Sequence, residues 1–583
     1  MKPVQPPHDD NPCRPRHYKP APCAPAPVEG PAKQSLETSH TRLIITGALF
    51  CLAFLVIAAR LVEVAGFKAD ETRFARARSD ETPAITRADI VDRNGVLLAT
   101  TLDAPSLYAN ARLIRHPERV AEQLAAILPD VSESEIAAKL ASDKSFVWIK
   151  RLLTPSQELE VNRLGVPGLQ FQMEGRRVYP KGNLTSEVVG YDDLDGKGLA
   201  GIERGFDDIL RDRSEPVELS IDVRLQYILR DEIARTVADF SATGGIGIIM
   251  DVNTGEVLAM VSLPDFDPNS PGSATPQQLF NRATLGIYEM GSTFKIFNTA
   301  LALDTHTATL ASSYDAIDPI RIGGFTIHDD HAQRRWLTVP EIFQYSSNIG
   351  SAKMAVAVGT DRQKAFLTRL GLLKAPSFEL HEIGAPLVPS PWREINTMTV
   401  AFGQGISVSP LQMATAVSAV VNGGVLHRAT LIKRPDGYAP SGQQVVSPRT
   451  SEEMRALLRL VVAHGTGEFA EAPGYLVGGK TGTAEKVAAG RYEPKGLFSS
   501  FVGVFPVNEP RYLVMVCIDE PKGNKESHGF ATGGWTAAPA VKRVVERMAP
   551  LMGIQPVDED SPEIRRSLMV GSPSPQGQKI AAN

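Results

Sequence analysis

Apolar and polar positions divide the 583-residue chain into stretches of different period. Leu43 to Ala59 gives 17 uncharged residues between Arg42 and Arg60. At about 1.5 Å per residue they make a helix about 25 Å long, whose flanking arginines can snorkel. One membrane helix over 43–62 is therefore predicted. A cleaved signal peptide is the rival reading, but a 42-residue leader is long and Ala58-Ala59-Arg60 is a poor cleavage site. Beyond the helix, Arg87 to Ala99 reads as strand and turn, and Val120 to Leu128 and Glu133 to Leu140 as short amphipathic helices. Beyond the membrane helix the chain thus predicts a mixed α/β domain, followed by a second in which strand-like and helical patterns alternate.

Two patterns in the second domain carry chemistry. After Gly291, the stretch Ser292 to Asp304 has apolar residues at Phe294, Phe297 and Leu301, the spacing of a helix with one buried face. Ser292 then stands at a helix start and Lys295 lies on the same side three residues on, as a nucleophile and its base require. Free N–H groups at that start can face a developing oxyanion. Tyr475 to Glu485 reads as a short strand, in which Thr481 and Thr483 face one way and Lys480 and Gly482 the other. Two hydroxyls on one face suit a substrate carboxylate. Gly482 admits a second backbone, and the Thr483 N–H can supply a second oxyanion donor beside that of Ser292.

A lysine acts as a base near neutral pH when desolvation or a neighbouring cation lowers its pKa, and Lys480 fits as that cation. In Ser346-Ser347-Asn348, Ser346 can relay a proton between Lys295 and a leaving amine, and Asn348 can hold a substrate amide. Taken singly, these motifs also read as a capping serine, a solvated lysine and a polar turn; their order and spacing make the case.

Composition narrows the picture. A net charge of −5 gives no support to nucleic-acid binding. Cys13 and Cys23 lie in the N-terminal tail and Cys51 in the apolar stretch, so Cys517 alone follows it and no disulfide is available there. Residues 1–40 hold ten prolines and predict a disordered tail, placed here as 1–42. Residues 556–583, with Ser-Pro-Ser-Pro near the end, are expected to be flexible. Charge does not orient the membrane helix: Lys33 and Arg42 precede it closely, while Arg60, Lys68, Arg73, Arg76 and Arg78 follow.

Together the motifs resemble the penicillin-binding proteins, and within them the class B peptidoglycan D,D-transpeptidases. Leu219-Ser-Ile-Asp222, Thr254-Gly-Glu-Val-Leu-Ala-Met260, Asn281-Arg282-Ala283, Phe402-Gly-Gln-Gly405, Asn422-Gly-Gly424, Gly465-Thr-Gly467 and Gly533-Gly-Trp535 extend the resemblance over about 216–550. Arg87 to Gly95, Arg176-Arg-Val-Tyr-Pro180 and Gly198 to Glu203 are similar to three motifs of the family's non-catalytic pedestal, where charged residues among Gly and Pro suit a rigid junction. The chain departs from the family at Met290, where proline is usual, and at Ala88, where glycine is usual, so a positive φ at 88 is in doubt.

The resemblance implies an antiparallel sheet between helical layers, an elongated α+β pedestal over 63–215 and a transpeptidase domain over 216–555. It implies that Ser292 attacks the bond between the terminal D-alanines of a peptidoglycan stem peptide, with Lys295 as base and Ser346, Asn348, Lys480, Thr481, Gly482 and Thr483 around it. No metal or cofactor is called for. β-Lactams, a glycan polymerase of the FtsW type and other division proteins are the implied partners, with the tail in the cytoplasm and the catalytic domain in the periplasm at the inner membrane. Pedestal and length resemble the septal more than the elongation branch. A D,D-carboxypeptidase or β-lactamase would share the motifs but transfer to water; a β-lactam sensor would need a larger membrane domain; a non-catalytic division scaffold would not need Ser292 and Lys295 intact.

Overall fold

The computed structural model describes residues 44–61 and 87–568, apart from 436, 439, 489 and 490. The expected Pro-rich tail therefore lies outside the described residues. Ile44–Leu61 is a single helix of mean hydropathy 2.4, long and apolar enough to cross a membrane.

The remaining described residues, from 87 on, form a separate unit. Its first part is built on a small sheet. Leu97–Ala109 pairs antiparallel with Val147–Lys150 and Leu169–Val178, and through Ile90–Val91 the sheet reaches Val217–Glu218. The two expected helices appear as Pro117–Ile127 and Glu133–Leu140. They bury Val120, Leu124, Ile136 and Leu140 against Leu107 and Ile149 of the sheet. Ser132 caps the second helix by accepting from the Glu135 N–H.

Three segments distant in sequence meet at Glu203. Arg87 and Arg177 each bind its carboxylate at 2.7 Å, and Arg87 also binds Asp207 at 2.6 Å. Arg87, Arg177 and Glu203 are all buried. This is the charge-assisted junction expected of the pedestal motifs. Ala88 is buried, donates its N–H to the Leu210 carbonyl, and is not among the residues with positive φ.

The second sheet organises the rest. Its strands are β1 (Gly244–Asp251), β2 (Val257–Leu263), β3 (Gly478–Ala488), β4 (Arg491–Phe505) and β5 (Tyr512–Asp519), in the order β3-β4-β5-β1-β2 and antiparallel throughout. Side chains alternate between two cores. Ile249, Val514 and Val516 pack with helices Val223–Asp239 and Ala537–Leu551, whereas Ile248, Met250, Leu513 and Met515 pack with helices Lys295–Asp304, Pro410–Val421 and Pro448–His464. Both faces are covered, so β1 and β5 are apolar along nearly their whole length rather than alternating with polar residues.

Two expectations are corrected. The stretch from 556 is structured in its first part, because the Val557 N–H binds the Gly474 carbonyl, Glu559 pairs with Arg459 at 2.8 Å and Pro562–Leu568 is helical. Helix Lys295–Asp304 buries nine consecutive residues, Lys295 to Leu303, instead of one face, since it runs through the core rather than over it.

Candidate active site

Gly291–Phe294 is a single 3₁₀ turn that leads into the Lys295–Asp304 helix, so Ser292 sits in a tight turn just before the α-helix proper. Met290, the departure from proline, is buried, and its carbonyl accepts from the Thr293 hydroxyl at 2.8 Å, which holds the turn. Gly291 has φ +54 and is closed in by backbone on two sides. A Cβ there would stand 2.5 Å from the Thr483 carbonyl, and a Cβ on Gly403 would stand 2.2 Å from the Gly291 carbonyl. The Ser292 turn, the segment around Thr483 and the Phe402–Gly405 loop are thereby held together.

Lys295 Nζ lies 2.9 Å from Ser292 Oγ, 2.6 Å from the Ser346 carbonyl, 3.0 Å from Ser346 Oγ and 2.7 Å from Asn348 Oδ1. The two shortest contacts are to oxygens that can only accept. The Asn348 amide is fixed in this orientation because its Nδ2 donates to the His328 carbonyl at 3.0 Å. A neutral amine with its two protons on Ser346 O and Asn348 Oδ1 presents its lone pair to the hydroxyls, and Ser292 is the nearer of them. This is the arrangement of a base ready to accept the Ser292 proton.

Lys295 is completely buried, and burial pushes its pKa down to about 7 against the opposing charges of Asp329 and Asp330. Lys480 is also buried and lies 3.1 Å from Ser346 Oγ. Its pKa is well below the ordinary lysine value, first through burial and then through Lys295. Of the two causes open for Lys295, desolvation or a neighbouring cation, burial comes first, and the two neighbouring amines disfavour charging each other. Ser346 Oγ bridges the two amines, within reach of both.

On the strand side, Thr481 and Thr483 share the face covered by Thr466 and Gly533. Thr466 and Thr481 hydroxyls are 2.7 Å apart, and Thr483 Oγ1 accepts from the Gly533 N–H at 3.1 Å, leaving its own proton free to donate. Gly482 faces the Ser292 turn, where a Cβ would stand 2.5 Å from the Met290 carbonyl. All eight predicted residues thus converge: Ser292, Lys295, Ser346, Asn348, Lys480, Thr481, Gly482 and Thr483. Sequence reasoning missed Thr466 as a partner of Thr481, although its Gly-Thr-Gly motif was a visible signal. It also missed His328 and Asp329, which no spacing rule marks.

The chain as a whole matches a known family. Residues 245–546 match the penicillin binding protein transpeptidase domain, and residues 82–234 match the penicillin-binding protein dimerisation domain. The chain belongs to the penicillin-binding protein transpeptidase family. Among similar proteins, the probable peptidoglycan D,D-transpeptidase FtsI of Caulobacter vibrioides is 43% identical over 482 residues, covering 80% of this chain and 82% of the relative. The peptidoglycan D,D-transpeptidase FtsI of Escherichia coli K12 is 28% identical, covering 87% and 91%. The crystal structure of penicillin-binding protein 3 from Mycobacterium tuberculosis complexed with ampicillin superposes with a TM-score of 0.65 at 26% identity, covering 82% of this chain and 98% of that one. Within this penicillin-binding protein, the Ser292 turn, the Ser346–Asn348 segment and β3 are the three sides of the candidate site.

Proposed function

We propose that the protein is a peptidoglycan D,D-transpeptidase that cross-links stem peptides in septal wall synthesis through an acyl-enzyme on Ser292. The observation that carries this reading is the buried Lys295 amine, 2.9 Å from Ser292 Oγ and tied by its two shortest contacts to acceptors.

In the first step Lys295 takes the Ser292 proton as Oγ adds to the carbonyl between the two terminal D-alanines of a donor stem. The N–H groups of Ser292 and Thr483 face the oxyanion, and the Thr481 and Thr483 hydroxyls meet the terminal carboxylate. Ser346, between the two lysines, passes the proton to the departing D-alanine amine. An amine of a neighbouring stem then attacks the ester, giving up its proton as Ser292 regains one. β-Lactams occupy the same site and acylate Ser292.

The septal assignment is supported by the FtsI names of the relatives. On this reading residues 63–215 are the pedestal and 216–555 the catalytic domain. Ile44–Leu61 anchors the protein in the inner membrane as a single pass, with the tail in the cytoplasm and the catalytic domain in the periplasm, beside an FtsW-type glycan polymerase. Depletion in cells tests the role: filaments support division, and round cells would move the protein to elongation.

The chemistry is tested by the fate of the penicilloyl adduct. A cross-linking enzyme keeps water from the ester, so the Ser292 adduct persists for many minutes, whereas a hydrolase clears it in seconds; each tenfold in rate is about 1.4 kcal/mol of deacylation barrier. Adduct mapped to Ser292 by mass spectrometry and slow release of label support the proposal. Labelling that survives Ser292→Ala, or turnover at many equivalents per minute, overturns it.

A further inference from the structure

The loop between the short strands Phe325–Ile327 and Trp336–Thr338 grips three successive residues, Ser347, Asn348 and Ile349, the middle one a residue of the candidate site. His328 O accepts from Asn348 Nδ2 at 3.0 Å, Asp329 Oδ2 accepts from the Ser347 hydroxyl at 2.7 Å, and Asp329 Oδ1 accepts from the Ile349 N–H at 2.9 Å. The Ser347 hydroxyl in turn accepts from the Gly350 N–H at 3.0 Å, so Asp329 and Ser347 cap helix Asn348–Val358 jointly. Ile327 anchors the loop in a small apolar cluster with Ala352 of that helix, Met398 and Phe402.

Ser346, immediately before this cap, has φ 60, a left-handed conformation that a serine keeps only where its surroundings hold it. From that conformation it directs both its carbonyl and its hydroxyl at Lys295. Its neighbour Ser347 is fixed from one side by the Ile342 carbonyl and from the other by Asp329.

Building on the proposed acylation chemistry, we propose that Asp329 is a positioning residue: its carboxylate locks Ser347 and Ile349, and so sets Ser346 and Asn348 around the Lys295 amine while placing a negative charge toward it. The groups facing Lys295 divide by element. Ser292 comes from its own turn, Ser346 and Asn348 from the capped segment, Lys480 from β3 across Ser346, and Asp329 and Asp330 from the loop. Asp330 shares the charge but makes no hydrogen bond to the Ser346–Asn348 segment among the described residues, which separates the two effects. Both aspartates raise the Lys295 pKa against burial. Losing either charge therefore leaves the amine neutral down to lower pH.

The test is stopped-flow acylation of the full-length protein by a fluorescent penicillin as a function of pH, with the thermal midpoint of each variant. Asp329→Ala should acylate about ten to a hundredfold more slowly on the alkaline plateau, a misplacement effect on the chemical step with noncovalent binding little changed. Asp329→Asn, which retains an acceptor for the Ile349 N–H, should recover most of that rate while the acid limb moves to lower pH. Asp330→Asn should move the limb the same way at the wild-type plateau rate. Should Asp329→Ala fail to fold, the Asn variant decides alone. An Asp329→Asn protein with the wild-type limb, or an Asp329→Ala protein with the wild-type plateau, overturns the inference. Wild type that fails to acylate at Ser292 instead overturns the function on which the inference rests.

Discussion

The carbonyl of Ser346 accepts from Lys295 Nζ at 2.6 Å while its hydroxyl lies 3.0 Å from the same nitrogen. One residue thus orients the base through its backbone and links it to Lys480 through its side chain. The two functions separate on substitution. Ser346→Ala keeps the carbonyl and loses the bridge, so acylation should fall by about a hundredfold or more with the acid limb of the pH profile in place. Acylation kinetics and a thermal melt check this; an unchanged rate would remove Ser346 from the proton path.

Lys295 makes the rate a function of pH. A base must be neutral, so acylation should rise through about pH 7 and level off above it. Lys295→Arg should not acylate anywhere in this range, because guanidinium stays protonated. Acylation by the Arg variant at close to the wild-type rate would reduce Lys295 to a fixed charge.

Glu203 is a structural prediction. Both of its arginine partners are buried with it. Glu203→Ala leaves the buried Arg177 guanidinium without its carboxylate, while Arg87 keeps Asp207, and should cost about 3–5 kcal/mol in denaturant unfolding. A loss below about 1 kcal/mol would mean that the pair behaves as a surface ion pair.

Glu187 carries a different pH signature. Burial, with Asp265 as the next cause, raises its pKa from 4.5 to about 8, and its Oε1 has no hydrogen-bond partner. Because the folded value lies above the unfolded one, its contribution to stability is fully present below about pH 4.5 and is lost as pH rises through about 8. Glu187→Gln should therefore flatten the decline of stability over that window and leave the protein more stable than wild type at pH 8. Parallel melting curves against pH for the two proteins would remove Glu187 as the source.

Much of the site was legible because its chemistry lies in local spacing. Ser292 and Lys295 are three residues apart, and any helical turn brings them together. The alternation of Lys480, Thr481, Gly482 and Thr483 follows from a strand of period 2. What escaped depends on distance along the chain. Asp329 precedes Ser347 by 18 residues, with one short strand and one short helix between them, so only the fold brings them together. The left-handed Ser346 is invisible for another reason: serine carries no signature of positive φ as glycine does. Around the small sheet, Arg87, Arg177 and Glu203 announced a junction by type, but the convergence of both arginines on one carboxylate needed the structure.

Because helix Lys295–Asp304 runs through the core, the tuning of its lysine is a property of the whole packed domain. In an unfolded chain the same side chain returns to its ordinary value of 10.5 and loses Ser346, 51 residues away in sequence. Covalent labelling by penicillin consequently counts native molecules. A substitution away from the site that leaves some molecules irreversibly unfolded lowers the labelled fraction without slowing those that remain folded, whereas a defect confined to the chemistry slows every molecule and leaves the final extent intact. Amplitude and rate of one reaction thus read out folding and catalysis separately.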